Sequence, residues 1–169
     1  MCKPRHRKAP TGKKWLYPVC AATVLALDQI TKIAILSRLN LFESIPLIPS
    51  FFHLTLIFNK GVSFGILQNQ SRWFVPLACL VVAVIAGIVF FEEGIGLCER
   101  ILLGIITGGA LGNLADRIVH GAVVDFIDFV GVWPYIFNVA DMAVVCGSLL
   151  LGLRILSEGR IKEGKQGKH

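Results

Sequence analysis

The stretch WFVPLACLVVAVIAGIVFF, residues 73–91, decides the fold class, because none of its nineteen residues carries a charge. A membrane-spanning helix needs about 20 predominantly apolar residues. Three similar blocks lie around it, at 15–36, 101–115 and 136–156. Of the 169 residues, 54% are hydrophobic and 17% are charged, whereas soluble domains carry about 25% charged residues. We therefore predict an all-α integral membrane protein with four transmembrane helices, folded as a single membrane domain over residues 1–169.

Basic residues at the two ends of the chain set the expected orientation. The net charge is +6, and Lys and Arg are concentrated in residues 1–14 and 154–169. Cytoplasmic flanks of membrane helices carry an excess of these residues, so both termini are predicted to be cytoplasmic, as an even number of spans requires. The loops 37–72 and 116–135 then face outward. Because the basic tails adjoin apolar blocks, we assign them to the membrane surface and not to nucleic acid.

The first outer loop contains a pattern typical of β-structure. FFHLTLIF, residues 51–58, alternates between polar and apolar side chains in its middle, which is the period of a strand. The turn signal N-K-G follows, and VSFGI, residues 62–66, could return as a second strand. We expect a small β-sheet or hairpin on the outer membrane surface.

The third apolar block carries a row of small residues. Gly104, Gly108 and Gly112 recur at a spacing of four and therefore share one face of a helix. Small residues at this spacing allow the backbone of a neighbouring helix to approach closely. The pattern predicts tight helix packing on this face.

The polar side chains of the apolar blocks gather at one depth. At about 1.5 Å per residue, Asp28 lies ~20 Å along the first helix, in the outer part of a hydrocarbon core ~30 Å thick. Ionisable groups at such depths are costly and usually functional. The inner halves of the blocks carry almost nothing polar. The other members lie at outer helix ends or in outer loops: Asn59, Asn113, Asp116, Arg117, Asp125, Asp128, Asn138 and Asp141.

A structural role is open for several of these residues. Asp28 and Lys32 are four positions apart with the acid first, which favours an ion pair within the helix. Asp116 could pair helices, and Asn138 could cap the fourth helix. Even so, the outer group holds five Asp and only two close basic partners. Two carboxylates held together in a partly dry site cannot both ionise easily and can share one proton, which is the chemistry of an aspartic peptidase.

Other catalytic chemistries fit the sequence poorly. His53 and His120 lie on the outer side, but no nucleophile motif accompanies them. There is no H-E-x-x-H motif and no closely paired cysteine set, so a zinc site is not predicted.

Five motifs, in order, resemble those of the lipoprotein signal peptidases (signal peptidase II) of bacterial membranes. They are DQITK at 28–32, NKGVSF at 59–64, GGALGNLADR at 108–117, VVDFIDF at 123–129 and FNVAD at 137–141. Together they span most of the chain outside its tails. The second motif departs slightly from the usual N-x-G-A-x-F form of the family, since V-S stands at its centre.

The resemblance implies an aspartic endopeptidase that removes the signal peptide from prolipoproteins, cutting before a cysteine that carries a diacylglyceryl group. It implies Asp125 and Asp141 as the catalytic dyad, whereas Asp128 is assigned to a solvated or helix-supporting role. A larger set would bind substrate or support the site: Asp28, Lys32, Asn59, Gly61, Asn113, Asp116, Arg117 and Asn138. No metal or organic cofactor is implied.

The same resemblance sets the expected location and partners. The protein is expected to be a monomer in the bacterial cytoplasmic (inner) membrane, with its active site toward the periplasmic, outer face. Its partners would be prolipoproteins with a diacylglyceryl cysteine, and membrane lipid.

Two other interpretations of the polar residues stay open from the residues alone. Intramembrane carboxylates also mark ion paths, so a small proton-coupled transporter or channel is the main alternative. Against it, the inner halves of the blocks lack polar residues to complete a path. The second is a structural subunit whose acids only pair helices.

Overall fold

The computed structural model describes residues 13–61, 71–92 and 94–166, which form four α-helices and four β-strands. Three of the helices are long and apolar enough to cross a membrane, and the second helix contains a shorter apolar segment, Val75–Phe91. The four-stranded sheet lies between them in sequence and is antiparallel throughout. In chain order the elements are α1 (Leu16–Leu36), β1 (Ser44–Ile48), β2 (Phe52–Asn59), α2 (Ser71–Phe91), α3 (Leu97–His120), β3 (Val123–Asp128), β4 (Ile136–Phe137) and α4 (Val139–Gln166).

The helix that contains the third predicted span is longer than that span at both ends. The prediction stopped at 101–115 because charged residues flank that block, but α3 covers Leu97–His120. Asp116 is buried inside this helix, since Lys32 of α1 forms an ion pair with it at 2.7 Å. A partner from another helix thus removes the electrostatic reason to end the span.

The sheet is larger than the element predicted within the first outer loop. β2 corresponds to the alternating segment 51–58, but it pairs with β1 on one side and β3 on the other. β3 lies in the predicted outer loop 116–135 and β4 at the predicted start of the fourth span, 136–156. The proposed return strand, 62–66, lies outside the described residues.

Burial explains why the sequence of β3 shows no strand-like alternation. Its first four residues are all buried, and buried strands read as continuous apolar runs without alternation. β3 contributes Val124 and Phe126 to a core that also holds Leu56 of β2. The same core includes Ile35 and Leu39 at the end of α1, so the sheet is fixed to that end of the helix bundle.

Glycines on α3 bring two other helices into backbone contact with it, as the spacing of small residues predicted. A Cβ on Gly104 would lie 2.6 Å from the carbonyl oxygen of Tyr17, and one on Gly108 would lie 2.5 Å from that of Ala21. A Cβ on Gly109 would lie 2.5 Å from the carbonyl oxygen of Ala140 on α4. α3 is therefore the central helix, in close contact with α1 and α4.

Candidate active site

Asp125 lies in the middle of β3 with its carboxyl group almost fully enclosed. Two amides hold its oxygens: Asn59 Nδ2 donates to Oδ2 at 2.9 Å, and Asn138 Nδ2 donates to Oδ1 at 2.7 Å. Burial is the main cause that raises the pKa of Asp125 to about 7, and the negative charge of Asp141 adds to it. The two amide bonds and the positive charge of Lys32 act in the opposite direction.

Asp141 lies in the first turn of α4, where the positive end of a helix stabilises negative charge. Asn138 caps this helix, as predicted, since its Oδ1 accepts a hydrogen bond from the backbone N–H of Asp141 at 2.7 Å. Asn113 Nδ2 donates to Asp141 Oδ1 at 2.7 Å. Asn113 of α3 therefore holds the carboxyl group of Asp141, and Asn138 holds its backbone.

Two asparagines connect the two acids. Asn138 Nδ2 donates to Asp125 Oδ1 at 2.7 Å and to Asn113 Oδ1 at 3.0 Å. The amide nitrogen of Asn113, Nδ2, donates in turn to Asp141 Oδ1. A continuous run of hydrogen bonds therefore leads from one carboxyl group to the other. These hydrogen bonds orient both carboxyl groups before any substrate is present. Such preorganisation is how protein groups stabilise the charge that develops in a transition state.

A buried cation lies behind the asparagines. Lys32 Nζ contacts Asp28 Oδ2 at 2.8 Å and Asp116 Oδ2 at 2.7 Å, and it donates to Asn113 Oδ1 at 3.2 Å. The side chain of Lys32 is 2% exposed, so its positive charge is balanced by the two carboxylates and is hardly solvated. The ion pair predicted between Asp28 and Lys32 is present, and the same lysine also pairs α1 with α3.

Asp28 and Asp116, the two acids that contact Lys32, also bind backbone N–H groups. Each of these N–H groups belongs to the residue just before one of the two acids of the predicted dyad. Asp28 Oδ1 accepts the N–H of Ala140, the residue before Asp141, at 2.9 Å. Asp116 Oδ2 accepts the N–H of Val124, the residue before Asp125, at 3.0 Å. Because Lys32 joins Asp28 and Asp116, it ties together the segments that present the acid pair.

Gln29 belongs to this network and was not among the predicted site residues. Its Nε2 donates to Asp116 Oδ1 at 3.0 Å and lies 3.2 Å from Asp28 Oδ2. Its position directly after Asp28, inside the motif at 28–32, was the signal available in the sequence.

An open pocket of about 300 Å³ adjoins Asp141. Asn59, Asn113 and Arg117 line its polar side, and the last of these donates from Nη1 to the carbonyl oxygen of Asn113 at 3.1 Å. Gly61 also lines it, and its N–H donates to Asn59 Oδ1 at 3.1 Å, so Asn59 presents its Nδ2 to Asp125. Apolar side chains complete the pocket: Ile136, Phe137, Val144 and Val145.

The structure brings together all ten predicted site residues and leaves Asp128 apart from them. Asp128 Oδ2 accepts a hydrogen bond from Thr55 Oγ1 at 2.7 Å, on β2. Among the residues that the structure describes, no group of three or more His, Cys, Asp or Glu side chains has the arrangement of a metal site.

Comparison with known proteins identifies the family of this site. The sequence model described as signal peptidase (SPase) II matches residues 20–157. The lipoprotein signal peptidase of Desulfitobacterium hafniense (strain DSM 10664 / DCB-2) is 45% identical over 145 residues, which cover 84% of this chain and 93% of that protein. That of Clostridioides difficile (strain 630) is 39% identical over 142 residues, covering 83% and 95%.

Solved structures agree with the sequence comparison. A bacterial membrane enzyme determined by the in meso method at 2.3 Å resolution superposes with a TM-score of 0.79 at 28% identity, covering 90% of this chain and 92% of its own. A second, at 1.9 Å resolution, superposes with a TM-score of 0.75 at 29% identity, covering 89% and 97%. The chain therefore belongs to the signal peptidase II family.

Proposed function

We propose that Asp125 and Asp141 are the catalytic dyad with which this enzyme, a lipoprotein signal peptidase, removes signal peptides from prolipoproteins. One observation carries the assignment: a continuous run of asparagine hydrogen bonds connects the two carboxyl groups beside an open pocket. Membership of the family does not favour the transporter alternative, since the relatives are peptidases.

The dyad shares one proton at neutral pH. Asp125 is buried and has a pKa of about 7, so we assign the proton to this residue. Asp141 lies at the positive end of α4 and lines the pocket, so we assign it the role of general base. Both carboxyl groups titrate as a coupled pair.

Hydrolysis follows from these two protonation states. Asp141 takes a proton from a water molecule, and the water oxygen attacks the carbonyl carbon of the scissile peptide bond. The proton on Asp125 is donated to the carbonyl oxygen, which carries the developing negative charge. In the second step the C–N bond breaks, Asp141 gives its proton to the leaving amine, and the oxygen returns its proton to Asp125. The dyad regains its starting state.

The pocket combines surfaces that suit a peptide joined to a lipid. Its polar side, with Asn59 and Arg117, can bind the peptide backbone, and its apolar side includes Val145, an exposed side chain on α4. We propose that the diacylglyceryl group lies against this apolar side and that cleavage occurs just before the cysteine that carries it. Four spans, cytoplasmic termini and an active site on the outer face of the inner membrane complete the proposal, supported by the basic tails.

The test is cleavage of a purified diacylated prolipoprotein peptide by the wild type, Asp125→Asn and Asp141→Asn. Loss of a general acid or base should reduce kcat by about 10²–10⁴-fold. Asp128→Asn is the matched control, because Asp128 lies three residues further along and contacts Thr55 instead of the pocket. Cleavage at the wild-type rate by either dyad variant would refute the assignment. The same peptide without its lipid tests the requirement for the diacylglyceryl group.

A further inference from the structure

We propose that a groove between α1 and β1 binds an anionic phospholipid, with an acyl chain in the groove and the phosphate on Arg38. The groove has a volume of about 370 Å³ and shares no lining residue with the pocket at Asp141. Ala34 and Ile35 of α1 line it together with Leu39, just after the helix, and Ile45 and Leu47 of β1 line it as well.

The groove has the chemistry and the size for a hydrocarbon chain. Apart from Thr31 and Arg38, every lining residue is apolar, and the Thr31 hydroxyl already donates to backbone carbonyl oxygens of α1. The volume is about twelve times the ~30 Å³ that a water molecule occupies in the liquid. Apolar cavities do not hold ordered water and accept apolar ligands.

The position of the groove makes bilayer lipid the molecule that meets it. α1 is long and apolar enough to cross a membrane, and the groove lies at its last turns. Ile30 and Ile33 are more than half exposed on the preceding turn, and Ile45 and Leu47 are more than two-fifths exposed on β1. The groove is therefore continuous with the apolar surface of α1 that contacts lipid.

Arg38 supplies the electrostatic part of the site. Among the residues that the structure describes, no side chain forms an ion pair or hydrogen bond with its guanidinium group. Glu43, the acid nearest along the chain, accepts instead the N–H of Asn40 at 2.8 Å and its Nδ2 at 2.9 Å. Guanidinium groups bind phosphate through paired hydrogen bonds, and a long arginine at a helix end extends toward the headgroups.

The cation also distinguishes this ligand from the lipid of the substrate. A diacylglyceryl group on cysteine is uncharged, so it offers nothing to Arg38, whereas the phosphate of a phospholipid completes both the apolar and the charged halves of the site. A second copy of the chain could occupy the groove instead only if it presented an acidic side chain to Arg38 and an apolar ridge to the groove.

The test measures lipid binding without any substrate, so its outcome is independent of the proposed reaction. Protein purified in detergent is titrated with phosphatidylglycerol or phosphatidylcholine, and the bound lipid is counted by native mass spectrometry. Ala34→Phe fills the groove, and Arg38→Gln removes the cation. The matched controls are Ala26→Phe, two turns earlier on the exposed surface of α1, and Lys14→Gln near its other end.

We expect the first phosphatidylglycerol molecule to bind the wild type more tightly than phosphatidylcholine does. Arg38→Gln should weaken phosphatidylglycerol binding about fivefold, the effect of one basic residue near a lipid headgroup, and abolish the preference between the two lipids. Ala34→Phe should weaken both lipids, and neither control should weaken either. Unchanged binding in both groove variants would overturn the proposal, as would a dimer in the wild type that Ala34→Phe dissociates. The melting temperature of each variant shows whether it is folded. Arg38→Gln, a substitution at an exposed position, should lose binding without losing stability.

Discussion

At the scale of single residues, the proposed mechanism makes the dependence of activity on pH follow the protonation of Asp125. The pKa of this carboxyl group is raised to about 7, chiefly by burial. In the proposed mechanism the active enzyme carries a proton on Asp125, so kcat/KM should fall as pH rises through about 7. A pH profile on the diacylated peptide, with stability checked at each pH, measures this. A profile that stays flat up to pH 9 would contradict the assignment of the proton to Asp125.

The positive charge of Lys32 should affect both stability and this profile. The charge lowers the pKa of Asp125, so Lys32→Met should move the alkaline fall of kcat/KM to higher pH. The variant also leaves Asp28 and Asp116 without their cation, and breaking a buried ion pair costs about 3–5 kcal/mol. Thermal unfolding and the pH profile of the surviving folded enzyme separate the two effects. Lys60→Met, at an exposed position just after β2, is the control that should change neither.

The residues of the site were predictable to the extent that charge is conspicuous among apolar residues. The two proposed catalytic acids, and both Lys32 and its partner Asp28, are visible in this way. The backbone partners are not visible, because the N–H groups of Ala140 and Val124 are bound by distant acids. No local pattern carries that information.

At the scale of elements, the close approach of α1 to α3 depends on glycine. A Cβ on Gly108 would lie 2.5 Å from the carbonyl oxygen of Ala21 and 2.7 Å from the Cβ of Val24. Gly108→Ala should therefore push the helices apart and destabilise the protein by about 1–3 kcal/mol, the usual cost of overpacking. Gly87→Ala is the matched control, because nothing lies within 4 Å of its added Cβ.

The melting temperatures of these two variants test this prediction. They can be compared directly because each variant adds one methyl group to a glycine within a helix. Equal melting temperatures would show that α3 does not need glycine at this contact. Activity should fall with stability in Gly108→Ala, because α3 carries Asn113 and Asp116.

Elements were predictable where their period shows in the sequence. The apolar blocks marked the helices, and alternation marked β2. The outer end of α3 and the whole of β3 were not predictable in this way. Asp116 looks like the end of a span until Lys32 is placed beside it, and β3 is too thoroughly buried to alternate.

At the scale of the whole molecule, the proposed topology has the sheet and the proposed dyad on the outer side of the membrane. This predicts that Ser44→Cys, exposed on β1, reacts in intact cells with a thiol reagent that does not cross the inner membrane. Glu92→Cys, exposed after α2, should react only after the membrane is opened. The measurement needs a background without the five native cysteines. The opposite pattern of labelling would reverse the proposed topology.

The assembly of the sheet was the least predictable part of the molecule. Its strands come from two separate loops, with two helices between β2 and β3. Pairing across such a distance in sequence depends on the packing of Leu56, Val124 and Phe126 against the end of α1. That is a property of the folded chain and not of any one segment.

The cation at Lys32 has a consequence for the biosynthesis of the enzyme. The groups that it joins come from α1 and α3, and they in turn hold the first residues of α4 and β3. A nascent chain whose last helix has not yet entered the membrane therefore lacks Asp141, one acid of the proposed dyad, in its place. In the proposed mechanism, insertion of α4 is therefore the step that completes the dyad, and a chain without α4 in place is expected to be inactive.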